Sequence, residues 1–168
     1  MIVLVTGPPA AGKTTLARPL ARRLRLPLLA KDVIKEALGV TLPPATLDDS
    51  RRLGAATYEV MFALVRDVGD CILESNFDPG AAEQLAALRP RPIQIFCSCP
   101  SEEVVRRYQR RVGTRPRVHF DANRSDELLA RLPQENRPLP LDGPLLEVDT
   151  TRPVNVEALA TWVEQVRH

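Results

Sequence analysis

Paired cysteines, long apolar runs and charge of one sign are what this sequence has least of. Its three cysteines, Cys71, Cys97 and Cys99, cannot all pair, and none belongs to a two-armed ligand pattern. A reduced compartment without a zinc site is therefore expected. No apolar run approaches the roughly 18 residues of a membrane span, and the N-terminal MIVLVTGPP lacks the charged start and long apolar core of a signal peptide. The expectation is a soluble, cytoplasmic protein. The 23 basic residues stand against 21 acidic ones, a formal charge of +2, which argues against a dedicated duplex-binding face. One Trp, two Tyr and four Phe are too few for a broad single-strand stacking platform. Lysine is scarce as well, with Lys13, Lys31 and Lys35 set among 20 arginines.

What is present suffices for one domain. The 168 residues and 44% apolar content allow a single core without a staple and leave no room for a second full domain. Short apolar runs at 2–6, 27–30, 71–75, 93–99 and 145–148 read as buried strands. They alternate with segments of helical period, among them Leu16, Leu20 and Leu24, then Val104, Tyr108 and Val112, then Val156, Leu159, Ala160, Val163 and Val166. Further helices are expected at about 33–38, 49–68, 80–88 and 125–132. Strand and helix in alternation signal an α/β fold, a parallel sheet covered on both faces in three layers. Pro19 falls inside the first helix, where a kink is expected. The proline-rich stretch 133–144 reads as a return path to the last strand.

Gly7-Pro8-Pro9-Ala10-Ala11-Gly12-Lys13-Thr14 fits G-x-x-x-x-G-K-[ST], directly after the first strand and before the first helix. Glycines at both ends permit backbone geometries that let successive N–H groups point at phosphate oxygens. The helix that opens at the loop, through Thr15, adds its unsatisfied N–H groups and its dipole. Lys13 then supplies a point charge to the β and γ phosphates, and the Thr14 hydroxyl is placed to ligate Mg²⁺. The implied ligand is a nucleoside triphosphate with magnesium. Switches, motors and phosphotransferases all use such a loop, so the loop alone leaves the fate of the γ phosphate open.

With GPPAAGKTTLA, PLLAKDVIKEAL, CILESNF, RRYQRRVGTRPR and LLEVDTTRPVN in that order, the chain resembles the small P-loop kinases. These are AAA-type ATP-binding proteins that include gluconate and shikimate kinases, chloramphenicol phosphotransferase and the kinase part of polynucleotide kinases. The resemblance implies a P-loop NTP hydrolase fold with a five-stranded parallel sheet in the order 2-3-1-4-5, and a lid at about 113–136. It also implies transfer of the γ phosphate of Mg·ATP to a hydroxyl. Asp32 then resembles a general base on the acceptor hydroxyl, a role its place at the carboxyl end of a strand would suit; as a bare residue it could equally cap the following helix. Lys31 and Lys35 would steer an anionic acceptor or merely be solvated. Glu74, at the end of the third strand, is expected at Mg²⁺ or the acceptor, and Asn76 at the acceptor. The six arginines between 106 and 117 resemble a lid segment: Arg115 or Arg117 at the transferred phosphate, Arg110 or Arg111 near the adenine. His119 is a weaker candidate. The turn 149–153 looks like a wall of the adenine pocket.

The acceptor expected from this reading is a small hydroxylated molecule, a metabolite or an antibiotic, in a pocket shaped by residues 33–62. A 5′-hydroxyl polynucleotide is the nearest alternative, so nucleic acid stays a lesser possibility as partner. A nucleotide switch or assembly factor, with Asp32 only a cap, is the rival from another class. A kinase of sugar nucleotides ranks last. Nothing in the sequence sets the oligomeric state.

Overall fold

A computed structural model describes residues 1–77 and 79–167. The chain runs β1 (Ile2–Thr6), α1 (Lys13–Leu24), β2 (Leu28–Ala30), α2 (Lys31–Thr41), α3 (Leu47–Val68), β3 (Cys71–Glu74), α4 (Ala82–Ala86), β4 (Ile93–Ser98), α5 (Ser101–Arg111), α6 (Ser125–Glu135), β5 (Leu145–Asp149) and α7 (Val156–Val166). The five strands form one sheet in the order β2-β3-β1-β4-β5, with every neighbouring pair parallel. This is the order and the three-layer α/β architecture that the resemblance implies.

Alternation along the central strand builds two cores. Val3 and Val5 of β1 join Leu16 and Leu20 of α1, Leu159 and Val163 of α7, and Val104 of α5 on one face. Ile2 and Leu4 join Met61, Phe62 and Val65 of α3 on the other. A fully buried aliphatic side chain contributes about 1.5–3 kcal/mol, so these two faces hold the strand ends, and the loops that follow them, in fixed register. Cys71, Cys97 and Cys99 are free and buried in these cores. Burial raises the Cys71 and Cys97 thiols to about 11 and about 12, which makes them inert core residues. Among the described residues, no helix is long and apolar enough to cross a membrane.

Several boundaries differ from those expected. α2 starts at Lys31, two residues early, so Asp32 lies within its first turn; the cap position is Ala30, and no side chain caps it. The reading of Asp32 as a cap is thereby corrected. α3 starts at Leu47 because Thr46 and Asp49 form a reciprocal capping box, with Asp49 N donating to Thr46 Oγ1 at 3.1 Å and Thr46 N to Asp49 Oδ2 at 3.0 Å. The helix expected at 80–88 divides into a 3₁₀ turn, Pro79–Ala81, and the short α4. α6 continues through Pro133 to Glu135, whose carboxylate pairs with Arg131 one turn back at 2.9 Å. α1 likewise runs unbroken through Pro19. β5 is not buried as expected: it is an edge strand, with Leu145, Glu147 and Asp149 exposed and Leu146 and Val148 packed on the α7 side.

Candidate functional site

The loop between β1 and α1 turns on two left-handed glycines, Gly7 at φ 137° and Gly12 at φ 84°, with Ala10 also at positive φ. A Cβ on Gly7 would stand 2.6 Å from the Cys97 carbonyl oxygen of β4, so no side chain fits there. Lys13 is buried and donates to the carbonyls of Gly7 at 2.9 Å and Pro8 at 2.7 Å. Burial lowers its ammonium pKa, opposed by the nearby Glu74 carboxylate. Thr14 Oγ1 donates to Glu74 Oε2 at 3.1 Å, joining the first turn of α1 to the end of β3. Glu74 is 5% exposed, and burial raises its carboxyl above the ordinary range.

One cavity of about 540 Å³ opens in front of this loop. Lys13, Thr14 and Thr15 line it, together with Pro9, Ala10 and Gly12, and it continues past Asp32, Lys35, Glu74 and Asn76. Gly7, Pro8 and Ala11 shape the loop from behind and do not line the cavity. Nine cationic side chains on its wall face five carboxylates, a surplus suited to a polyanion.

Asp32 projects from the first turn of α2 and pairs with Arg115, while Lys31 Nζ lies 3.8 Å from its carboxylate. Burial alone would raise the Asp32 carboxyl, but Arg115, Lys31, His119 and Lys13 outweigh it and hold it below the ordinary range. Arg115 also donates to Asp121 Oδ2 at 2.9 Å. The segment after α5 is thus drawn across the cavity, and Ser50 Oγ of α3 secures it by donating to the Val118 carbonyl at 2.6 Å. Gly39 of α2 is needed for this approach: a Cβ there would meet Val118 Cγ2 at 2.7 Å.

The arginines divide. Arg111 lines the cavity, with its guanidinium 4.9 Å over the Tyr108 ring and its Nε buried without a hydrogen-bond partner among the described residues. Arg107 lines it too and donates to the Thr150 carbonyl at 3.1 Å, which ties α5 to the turn after β5. Arg110 and Arg117 are exposed and lie outside the cavity wall, so the structure does not bring these two expected residues to the site. The offset along α5 carries the reason. Val104 and Tyr108 mark its buried stripe, and at about 100° per residue Arg107 and Arg111 fall on the flank of that stripe while Arg106 and Arg110 point away. That signal was in the sequence.

His119 is buried, with Nε2 2.8 Å from Glu36 Oε1; burial lowers its pKa, and the Asp32 charge opposes this. It ties the crossing segment to α2. The turn 149–153 is pinned by Asp149, whose Oδ1 accepts from Thr151 N at 2.8 Å, and Thr150 lies beside Gly12; none of its residues lines the cavity. The pocket expected from residues 33–62 does draw on α3, which contributes Ser50, Gly54 and Tyr58 at four-residue spacing to the cavity wall, three residues that the sequence did not single out. Sequence reasoning also missed Arg124, Glu127 and Arg131 of the α6 region.

A family described as an AAA domain matches residues 2–135. Among solved structures, one from Chloroflexus aurantiacus j-10-fl, described as a "putative kinase", is 37% identical, with TM-score 0.83 over 98% of this chain and 97% of that one. A sugar kinase from Janibacter sp. HTCC2649 is 21% identical at TM-score 0.59, covering 99% of this chain and 93% of its own. A shikimate kinase from Acinetobacter baumannii, in complex with shikimate, is 20% identical at TM-score 0.55, covering 99% and 92%. These last two share the fold. No curated protein matches the chain.

Proposed function

The chain belongs to the AAA-domain family of P-loop proteins, and from that premise we propose that it is an ATP-dependent kinase whose acceptor is a small hydroxylated molecule. One observation carries the reading. The phosphate cradle, with Lys13 and the Thr14–Glu74 pair, shares a single cavity with the carboxylate of Asp32, which its cationic neighbours hold ionised. A nucleotide switch would have no need of a second carboxylate in this cavity beside Glu74, which already stands at the Thr14 hydroxyl.

In the reaction, the acceptor oxygen forms a bond to the γ phosphorus as the β–γ bridging bond breaks, and ADP leaves with that electron pair. Asp32 accepts the hydroxyl proton. Lys13, now turned onto the loop's own carbonyls, exchanges them for the β and γ phosphate oxygens. Arg115 and Arg111, on the cavity wall, stabilise charge on the transferred group. The segment held by Ser50 and His119 acts as the lid at 113–136 and excludes water. Magnesium fits the Thr14 hydroxyl and the buried Glu74 carboxylate, two hard oxygen donors 3.1 Å apart, since this ion usually takes only one or two protein ligands beside phosphates and water. When bound, it would neutralise negative charge on the nucleotide's phosphates.

The test is transfer of label from γ-labelled Mg·ATP into two pools, one of small hydroxylated metabolites and antibiotics, the other of 5′-hydroxyl oligonucleotides. Label in the small-molecule pool that falls 10²- to 10⁴-fold with Asp32→Asn, the usual range for a general base, is the expected result. Label in neither pool, with only slow Asp32-independent hydrolysis, would overturn the reading in favour of a nucleotide switch. Label in the oligonucleotides alone would replace the acceptor class.

A further inference from the structure

The wall of the cavity away from the phosphate loop holds more positive charge than its carboxylates answer. Glu127 serves three guanidinium groups at once, those of Arg124 at 3.1 Å, Arg51 at 3.4 Å and Arg131 at 3.5 Å. Asp32 is engaged by Arg115, which leaves Lys31 only the long 3.8 Å approach to it. Lys35 is more isolated. It is 2% exposed and lines the cavity, yet no carboxylate lies within ion-pair distance of it among the described residues. Its one hydrogen bond there goes to Ser50 Oγ at 2.8 Å, and that hydroxyl gives its own proton to Val118 O. An ammonium carries three donors, so two of those on Lys35 have no protein acceptor among the described residues.

A second observation concerns Gly54. Glycine inside a helix costs about 1 kcal/mol relative to alanine, and here neither backbone nor packing requires it. A Cβ at Gly54 would meet nothing closer than 3.9 Å, and the two atoms at that distance are Lys31 Nζ and Lys35 Nζ. Two ammonium groups from one face of α2 therefore converge on the same gap, and the residue behind the gap is the one with no side chain. Any residue larger than alanine would fill it.

We propose that the acceptor carries an oxyanion, a carboxylate or a phosphate group, seated between Lys31 and Lys35 against Gly54, with its reacting hydroxyl directed to Asp32. The inference rests on the kinase reading and narrows it, from hydroxylated small molecules at large to hydroxy acids or phosphorylated alcohols. A lysine pair suits either group, since a compact ammonium imposes no planar, two-pronged match on its partner. The arrangement supplies what an acidic acceptor needs: two cations that lose little on binding it, because neither gives up a good internal ion pair. A neutral polyol in the same place would leave both ammonium groups buried against hydroxyls.

The experiment keeps the phosphate loop out of the measurement. Protein saturated with Mg²⁺ and a non-hydrolysable ATP analogue is titrated calorimetrically with inorganic phosphate, with malonate and with glycerol, as the parent and as Lys35→Met and Gly54→Leu. One or both anions should bind the parent and glycerol should not; Lys35→Met should weaken anion binding at least tenfold. Gly54→Leu keeps both lysines and strengthens the helix, and should abolish it. Phosphate against malonate decides between the two oxyanions. Affinity for the analogue reports that each variant is folded. Anion binding absent from the loaded parent, or unchanged in both variants, overturns the proposal while label transfer and analogue binding leave the kinase reading standing. An analogue that does not bind overturns both.

Discussion

Lys35→Met should make the protein more stable at neutral pH. Burial, with Lys31 and Arg124 nearby, lowers the Lys35 ammonium from 10.5 to about 8. A fall of that size corresponds to about 3 kcal/mol between the two protonation states; the cavity mouth admits solvent, so screening reduces the expected cost to about 1–2 kcal/mol. The sign follows from proton counts. Below pH 8 both folded and unfolded chains hold the proton, and the folded state bears the full cost of the buried charge. Between about pH 8 and 10.5 the unfolded chain still holds the proton that the folded chain has released, so parent stability rises with pH across this window. Above 10.5 neither holds it and the cost is gone. Methionine keeps the length of the stem and removes the charge, and it gives up one hydrogen bond to Ser50 Oγ, worth about 0.5–1.5 kcal/mol. Urea unfolding at pH 7 and at steps up to pH 10.5 measures the difference. The variant should show the higher midpoint at pH 7, with its advantage shrinking as pH rises. A difference that is flat from pH 8 to 10.5 would refute the argument that Lys35 is held at a cost.

Gly7→Ala should destabilise the fold by roughly 2–3 kcal/mol, since the new Cβ meets Cys97 O at 2.6 Å and φ is 137°; the urea midpoint reads this, and an unchanged midpoint would mean that the loop yields. Glu74→Gln should raise the Mg²⁺ concentration needed for half-maximal label transfer by about tenfold or more while Thr14 still supplies one oxygen. An unaltered Mg²⁺ dependence would remove Glu74 from the ion. Arg115→Lys should lower kcat for label transfer by about 10²-fold with little change in the KM for ATP, because a lysine cannot span Asp32 and Asp121 as the guanidinium does; an unchanged unfolding midpoint excludes a damaged fold, and an unchanged kcat would remove Arg115 from the transferred phosphate.

The parts of the fold that could be read from the sequence are those whose physics is local. The β1–loop–α1 unit needs glycine at two fixed places, an apolar run before and a helical stripe after, and all of these lie within 24 residues. The strands stand out because buried parallel strands are short apolar runs. β5 was misjudged for the same reason: a run's length says it is a strand, but only its neighbours decide that it closes the sheet and has one face covered. The start of α3 moved because a side chain outside the apolar pattern, that of Thr46, decided it.

The acceptor end of the site follows a different rule, and this is why its chemistry was hard to read. Each side chain there takes its meaning from a partner far along the chain: Lys35 from Ser50 and Gly54, Asp32 from Arg115, Ser50 from Val118. Taken singly, Lys35 is one more charged residue on a helix, and Gly54 is one weak helix former. Brought together, a buried ammonium without a carboxylate and a glycine without a packing duty are hard to explain by stability, since each lowers it. Sequence patterns record the residues that favour a fold, whereas a ligand-binding wall is made of residues that work against one, and such residues become legible only when their neighbours are known. The same contrast orders the cavity itself. Its loop end is a motif shared by many phosphate-binding proteins, whereas its α2–α3 end matches no such general motif, so the acceptor has to be sought among molecules whose charge would relieve Lys31 and Lys35.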